Sequence, residues 1–207
     1  MTALTVVGTP GERRVTMFAE ACLRHGLREP EVVPWTSVLR GAEIRLEPGT
    51  LVRIESPGGD AAADALLRGP GEPSRVGGGA AWYAAFTTAV ARVREAVERT
   101  PGAVLLADVG EIAVMFDKRL CHARLSEAGV PVPPALPGPI GGYAELRERM
   151  GEAGWGRVFV KPAHGSSASG VVALQASGER VKAVTSAEPA AGGLYNSLRV
   201  RSYEDEV

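Results

Sequence analysis

Apolar positions fall into two kinds of pattern that alternate through the first half of the chain. Residues 4–7 are a compact apolar run ended by Gly8, which predicts a strand. The turn that follows opens a helix whose Val15, Phe18, Ala19 and Cys22 share one face, and Gly26 stops it. Val32, Val33 and Trp35 predict a second strand. Residues 51–54 predict a third, ended by the turn Ser56-Pro57-Gly58-Gly59-Asp60. A stretch rich in Gly and Pro, read as loop, runs on to Gly79. The strongest helical stripe comes next, with Trp82, Phe86, Val90, Val93 and Val97 spaced to lie along one side until Pro101-Gly102. Residues 103–107 form another buried-type strand. Strands alternating with helices predict a small parallel sheet covered by helices, the first domain, residues 1–112.

The second half, residues 113–207, changes character. Asp117 is placed as a helix cap before Leu120, Ala123 and Leu125, and Gly129 closes that helix. Val130-Pro131-Val132-Pro133-Pro134 cannot be helical and reads as an extended connection. Tyr143, Leu146, Met150 and Ala153 mark another amphipathic helix. Residues 157–161 and 171–174 then read as antiparallel strands joined by a small-residue loop, with further strands at 180–185 and 198–203. The acidic run from Glu204 to Glu206 reads as the first turn of a helix rather than a metal site.

Composition narrows the classes of function. Basic and acidic residues number 23 and 24 and form no long blocks, which argues against a nucleic-acid surface built on bulk charge. No run approaches the about 20 apolar residues of a membrane span, and the N-terminus has no signal-peptide pattern. A reduced, cytoplasmic protein is expected. Cys22 and Cys121 belong to no CxxC pair and are expected as buried small hydrophobes. His25, His122 and His164 are scattered, so no zinc cluster is indicated. Only Lys118, Lys161 and Lys182 are lysines; arginine takes the other basic positions.

The sharpest chemical feature is residues 158–174. A strand carries Lys161 at its end, Pro162 breaks the pairing, and Gly165, Ser166, Ser167, Ala168, Ser169 and Gly170 form a tight loop. Converging backbone N–H groups and serine hydroxyls suit an anion, and a neighbouring ammonium suits a phosphate oxygen. A strand follows the loop, so this is not a Walker P-loop. An ordinary hairpin with a flexible turn has the same pattern. Lys118, alone, reads as a solvated first-turn residue at a helix end where a cation is mildly disfavoured. Gly8-Thr9-Pro10-Gly11 lacks the GxGxxG spacing of a dinucleotide site. His164 reads as a solvated loop histidine, and Arg199 and Arg201 as residues of a solvent-facing strand.

Taken in order, Asp117-Lys118, then Gly129-Val130-Pro131-Val132-Pro133, then Val160-Lys161-Pro162 and the loop 165–170 resemble the ATP-grasp superfamily. The resemblance covers about residues 108–203. It implies an α/β chain, with a Rossmann-like parallel-sheet domain before a small α+β ATP-grasp subdomain with an antiparallel sheet. It implies that Lys118, Lys161, Gly165, Ser166, Ser167, Ser169 and Gly170 hold the phosphates of ATP. It further implies magnesium and a reaction that activates a small-molecule or peptide carboxylate as an acyl-phosphate for attack by an amine or thiol. The family's hinge acid and magnesium ligands would lie further along than Val207, so a truncated ATP-binding portion, inactive alone, is expected. The apolar surface left where the remainder would dock could also support a homodimer. A non-catalytic nucleotide-binding or partner-binding module would need the same lysines and loop.

Overall fold

The computed structural model describes residues 3–165 and 169–204. The chain divides into two compact units. One comprises Met1–Pro73 with Gly78–Phe116, and the other Ser74–Gly77 with Asp117–Val207. The fold is mixed α/β, with a four-stranded parallel sheet in the first unit and a separate four-stranded antiparallel sheet in the second.

In the first unit the strands β1 (Leu4–Gly8), β2 (Glu31–Pro34), β3 (Leu51–Ile54) and β4 (Val104–Leu105) lie in the order β2-β1-β3-β4. Val6 and Val7 are adjacent on β1 and both fully buried, as expected of a parallel strand covered on both faces. The helices are α1 (Arg13–Arg24), α2 (Trp35–Leu39), α3 (Ala61–Arg68), α4 (Gly79–Arg99) and α5 (Val109–Phe116). The apolar stripe of α4 meets Val7, Trp35, Val38 and Val52 in one core. Phe86 sits at its centre, its ring 4.8 Å from Trp82, 5.7 Å from Trp35 and 5.0 Å from Phe116.

Several expectations need correction here. Trp35 opens α2 instead of ending a strand; its indole N–H donates to the carbonyl of Glu55 at 2.8 Å and its ring fills the core. The stretch read as loop contains α3, capped by the Asp60 carboxylate, which accepts from the N–H groups of Ala62 and Ala63. The strand expected at 103–107 has only two residues in ladder, with Val104 and Leu106 exposed, because it is a sheet edge paired on one side to β3.

In the second unit α6 (Lys118–Glu127) and α7 (Tyr143–Glu152) precede β5 (Arg157–Val160), β6 (Val172–Ser177), β7 (Arg180–Ala190) and β8 (Gly193–Glu204), ordered β5-β6-β7-β8. One sheet face packs Val158, Leu174 and Ala183 against Leu146 and Met150 of α7. The cross-strand row Phe159, Ala173, Val184, Ser202 belongs to the other face. The β7–β8 register jumps from Thr185↔Arg201 to Ala187↔Asn196, so residues 197–200 of β8 stand opposite Ser186 alone and bow outward. Leu198 is fully exposed there. Glu204 is strand, not helix: it pairs with Lys182 in register, and their side chains meet at 2.6 Å. Cys22 is buried as expected, while Cys121 is half-buried on a helix with no buried residue. No helix among the described residues is long and apolar enough to cross a membrane.

Candidate functional site

The site is built where the N-terminus of α6 meets the loop leaving β5, all within the second unit. Asp117 caps α6, its Oδ1 accepting from the N–H of Arg119 at 2.9 Å and of Leu120 at 3.4 Å. The Arg119 guanidinium adds bonds to both oxygens at 3.0 and 2.6 Å, and His164 Nε2 lies 3.2 Å from Oδ2. The carboxylate is buried. The side-chain hydrogen bond from Arg119 holds its pKa far below the usual carboxylate range, against the upward push of burial.

The neighbouring residue fixes the loop itself. The N–H of Lys118 donates to the Ala163 carbonyl at 2.8 Å, and its Nζ donates to the Gly165 carbonyl at 2.6 Å. Backbone pairing between Asp117 and His164 completes the junction. Helix start and loop start are therefore joined by two backbone-directed bonds from one lysine and by a buried carboxylate. Gly165 has φ +103°, a conformation that favours glycine at the point where the chain turns toward Lys118.

Lys161 follows β5 directly, where Pro162 removes the next ladder donor. Its Nζ lies 5.8 Å from the centroid of the Phe159 ring, within range of a cation–π contact. The pKa of Lys118 is lowered, first by burial and then by the Lys161 ammonium, with Asp117 acting in the opposite sense. The two ammonium groups are thus within electrostatic reach of each other. The carboxylate nearest Lys118 in sequence is already engaged by Arg119 and His164. Two neighbouring cations of this kind suit a polyanion.

The structure bonds Lys118 to Gly165, at the near end of the loop, and sets Lys161 against Phe159. Ser169 and Gly170 lie at the far end of the same loop, half-buried, with Gly170 in a left-handed conformation at φ +69°. Ser166 and Ser167 lie outside the described residues. Among the described residues no three His, Cys, Asp or Glu side chains gather as a metal site, and Asp117 is already engaged.

No protein-family model matches this chain, and no curated protein matches it. Among solved structures the chain is similar to the ATP-grasp ligase PsnB complexed with a minimal precursor. Identity is 16%, the TM-score is 0.48, and the match covers 100% of this chain and 76% of that one.

Two participants, His164 and Phe159, escaped the sequence reading. His164 is not solvated: its side chain is 15% exposed and lies against Asp117. Lys118, already a candidate through the resemblance, is half-buried and bonded to the loop, where its position taken alone suggested a solvated first-turn residue. Phe159 is 71% exposed, and a usable signal for it did exist. It precedes Lys161 by two residues, so the strand period sets both on one face.

Proposed function

We propose that this chain binds ATP through Lys118, Lys161 and the β5–β6 loop, as the nucleotide-binding portion of an ATP-grasp ligase. The observation that carries the reading is the bond from the Lys118 ammonium to Gly165, at the start of the glycine-bounded loop that Lys161 precedes in the chain. Support also comes from the ordered motif set, which places two of only three lysines at those positions. In this reading Lys118 and Lys161 neutralise phosphate oxygens, and the backbone N–H groups at the described ends of the loop add donors. The exposed ring of Phe159 offers an apolar wall for the base.

The proposed reaction is transfer of the terminal phosphoryl group to a carboxylate. A carboxylate oxygen attacks the γ-phosphorus, the bond to the bridging oxygen breaks, and ADP departs with that electron pair. An amine or thiol then attacks the acyl carbon, and inorganic phosphate leaves. The lysines stabilise charge spread over the transferring oxygens, which is most of what such a reaction asks of a protein. Magnesium, when bound with ATP, would add charge neutralisation. A non-catalytic nucleotide-binding or partner-binding module uses the same two lysines and is the second reading.

Titration calorimetry with ATP, in the presence and absence of magnesium, tests the binding step. Lys161→Ala should weaken ATP binding at least about tenfold, the equivalent of one charge-assisted bond. Unchanged affinity in that variant would remove both readings. Weak binding that is the same with and without magnesium would suit the module, and binding that magnesium strengthens would suit the ligase portion.

A further inference from the structure

The far end of the loop lies against a segment of the Gly- and Pro-rich stretch that precedes Gly79. Ser74–Gly77 leaves its neighbours in the sequence and runs antiparallel along β8. The N–H of Val76 donates to the Leu194 carbonyl at 2.8 Å, the N–H of Asn196 donates to the Ser74 carbonyl at 2.7 Å, and Arg75 bridges Tyr195. These bonds fix Val76 in register. Its side chain occupies the space beside Gly170: a methyl group built on that glycine would run into Val76 Cγ1 and stand 3.1 Å from Pro162 Cγ. Gly170 is thus constrained twice, by a left-handed backbone that disfavours any side chain and by a wall that leaves no room for one.

Resting on the ATP-binding reading above, we infer that Val76 is a positioning residue for the phosphate loop, setting the backbone of Gly170 through side-chain packing. The two described ends of the loop then have different restraints. A hydrogen bond from Lys118 holds Gly165, while an apolar side chain from a short segment bridged to β8 packs beside Gly170. Backbone N–H groups bind an anion well only if they are already aimed before it arrives, so loss of either restraint lowers affinity by letting the donors diverge.

The test is a double-mutant cycle on ATP affinity, read by calorimetry in magnesium buffer with the melting temperature recorded beside each value. Val76→Ala should weaken ATP about tenfold while the protein remains folded. Gly170→Ala should weaken it further. In the double variant the smaller residue 76 admits the new methyl, so affinity should exceed that of Gly170→Ala alone and the two effects should fail to add. Val76→Thr keeps both γ positions filled and should bind as wild type, which keeps the test usable if Val76→Ala does not fold. Wild-type affinity in Val76→Ala, strict additivity, or an affinity loss in folded Val76→Thr as large as in Val76→Ala would each overturn the inference while leaving the ATP reading intact. A wild-type chain that fails to bind ATP would overturn both.

Discussion

Phe86 and Phe159 are the same side chain in opposite circumstances. Phe86 is 2% exposed and packs against Trp35, Trp82 and Phe116. Phe159 is 71% exposed, with the Lys161 ammonium near its ring. The first unit gathers Trp35, Trp82, Phe86 and Phe116 into one core. The second packs one sheet face against α7 and leaves an aromatic ring, with Lys161 beside it, on the other. A free antiparallel sheet face is ordinarily polar. An outward Phe beside a Lys therefore costs solvation without strengthening the core, and a ligand would offset that cost. Under the proposed function, the contrast separates a region organised for stability from one organised for contact.

The largest expected effect tests the first half of that contrast. Phe86→Ala removes a ring from the centre of a packed cluster and should destabilise the first unit by about 3–5 kcal/mol. Tryptophan fluorescence during urea unfolding is a suitable measure, because Trp35 and Trp82 flank the substituted position. Met150→Ala is the matching substitution in the second unit. Met150 is buried, but its buried partners are only Leu146 and Leu174, ringed by half-buried neighbours. That looser surround can collapse into the space, so a loss nearer about 2 kcal/mol is expected by far-ultraviolet dichroism. Equal costs at the two sites would erase the distinction between a thick and a thin core.

Next in size is a polar substitution. Asp117→Ala removes both the cap of α6 and the anchor for Arg119 and His164, and should cost about 1–2 kcal/mol at pH 7. The carboxyl is depressed in the folded state, so its contribution is complete above the unfolded value of about 3.9 and is lost as pH falls from there toward the folded value. The gap between wild type and variant, followed by urea melts, should narrow as pH falls below about pH 4. A gap that does not narrow there would show that the charge of Asp117 adds nothing to stability.

Much of this was legible in the sequence where periodicity and local caps decide. The stripe on α4, the Asp117 cap, the α7 face and the β5–β6 pairing all came from spacing that one element carries by itself. The short helices α2, α3 and α5 did not. Trp35 looks like strand continuation until the core claims its ring, and α3 hides in a Gly- and Pro-flanked stretch whose signal is the Asp60 cap alone. At the site, the lysines were found from the residues beside them and from order along the chain. His164 on Asp117, and Val76 on Gly170, pair residues far apart in sequence, and no period or propensity reports such a contact. Their chemistry was visible as residue types and their use was not.

The smallest expected effect tests the second half of the contrast. Phe159→Ala removes a ring of the same size as Phe86, yet that ring already faces solvent. Stability should change by no more than about 0.5 kcal/mol, as for surface substitutions generally. ATP affinity should nonetheless fall, because a base that stacks on an aromatic side chain loses roughly 1–3 kcal/mol when the ring is cut to a methyl. Lys161 also loses its cation–π neighbour in this variant, so Phe159→Leu is the needed companion: it keeps an apolar wall and removes the ring face. If leucine restores affinity, the wall matters to the base through burial; if it does not, the ring's face matters, either to the base or to Lys161. A Phe159→Ala protein that unfolds readily but binds ATP unchanged would reverse the comparison, making Phe159 a structural residue and Lys161 the sole contributor from that strand.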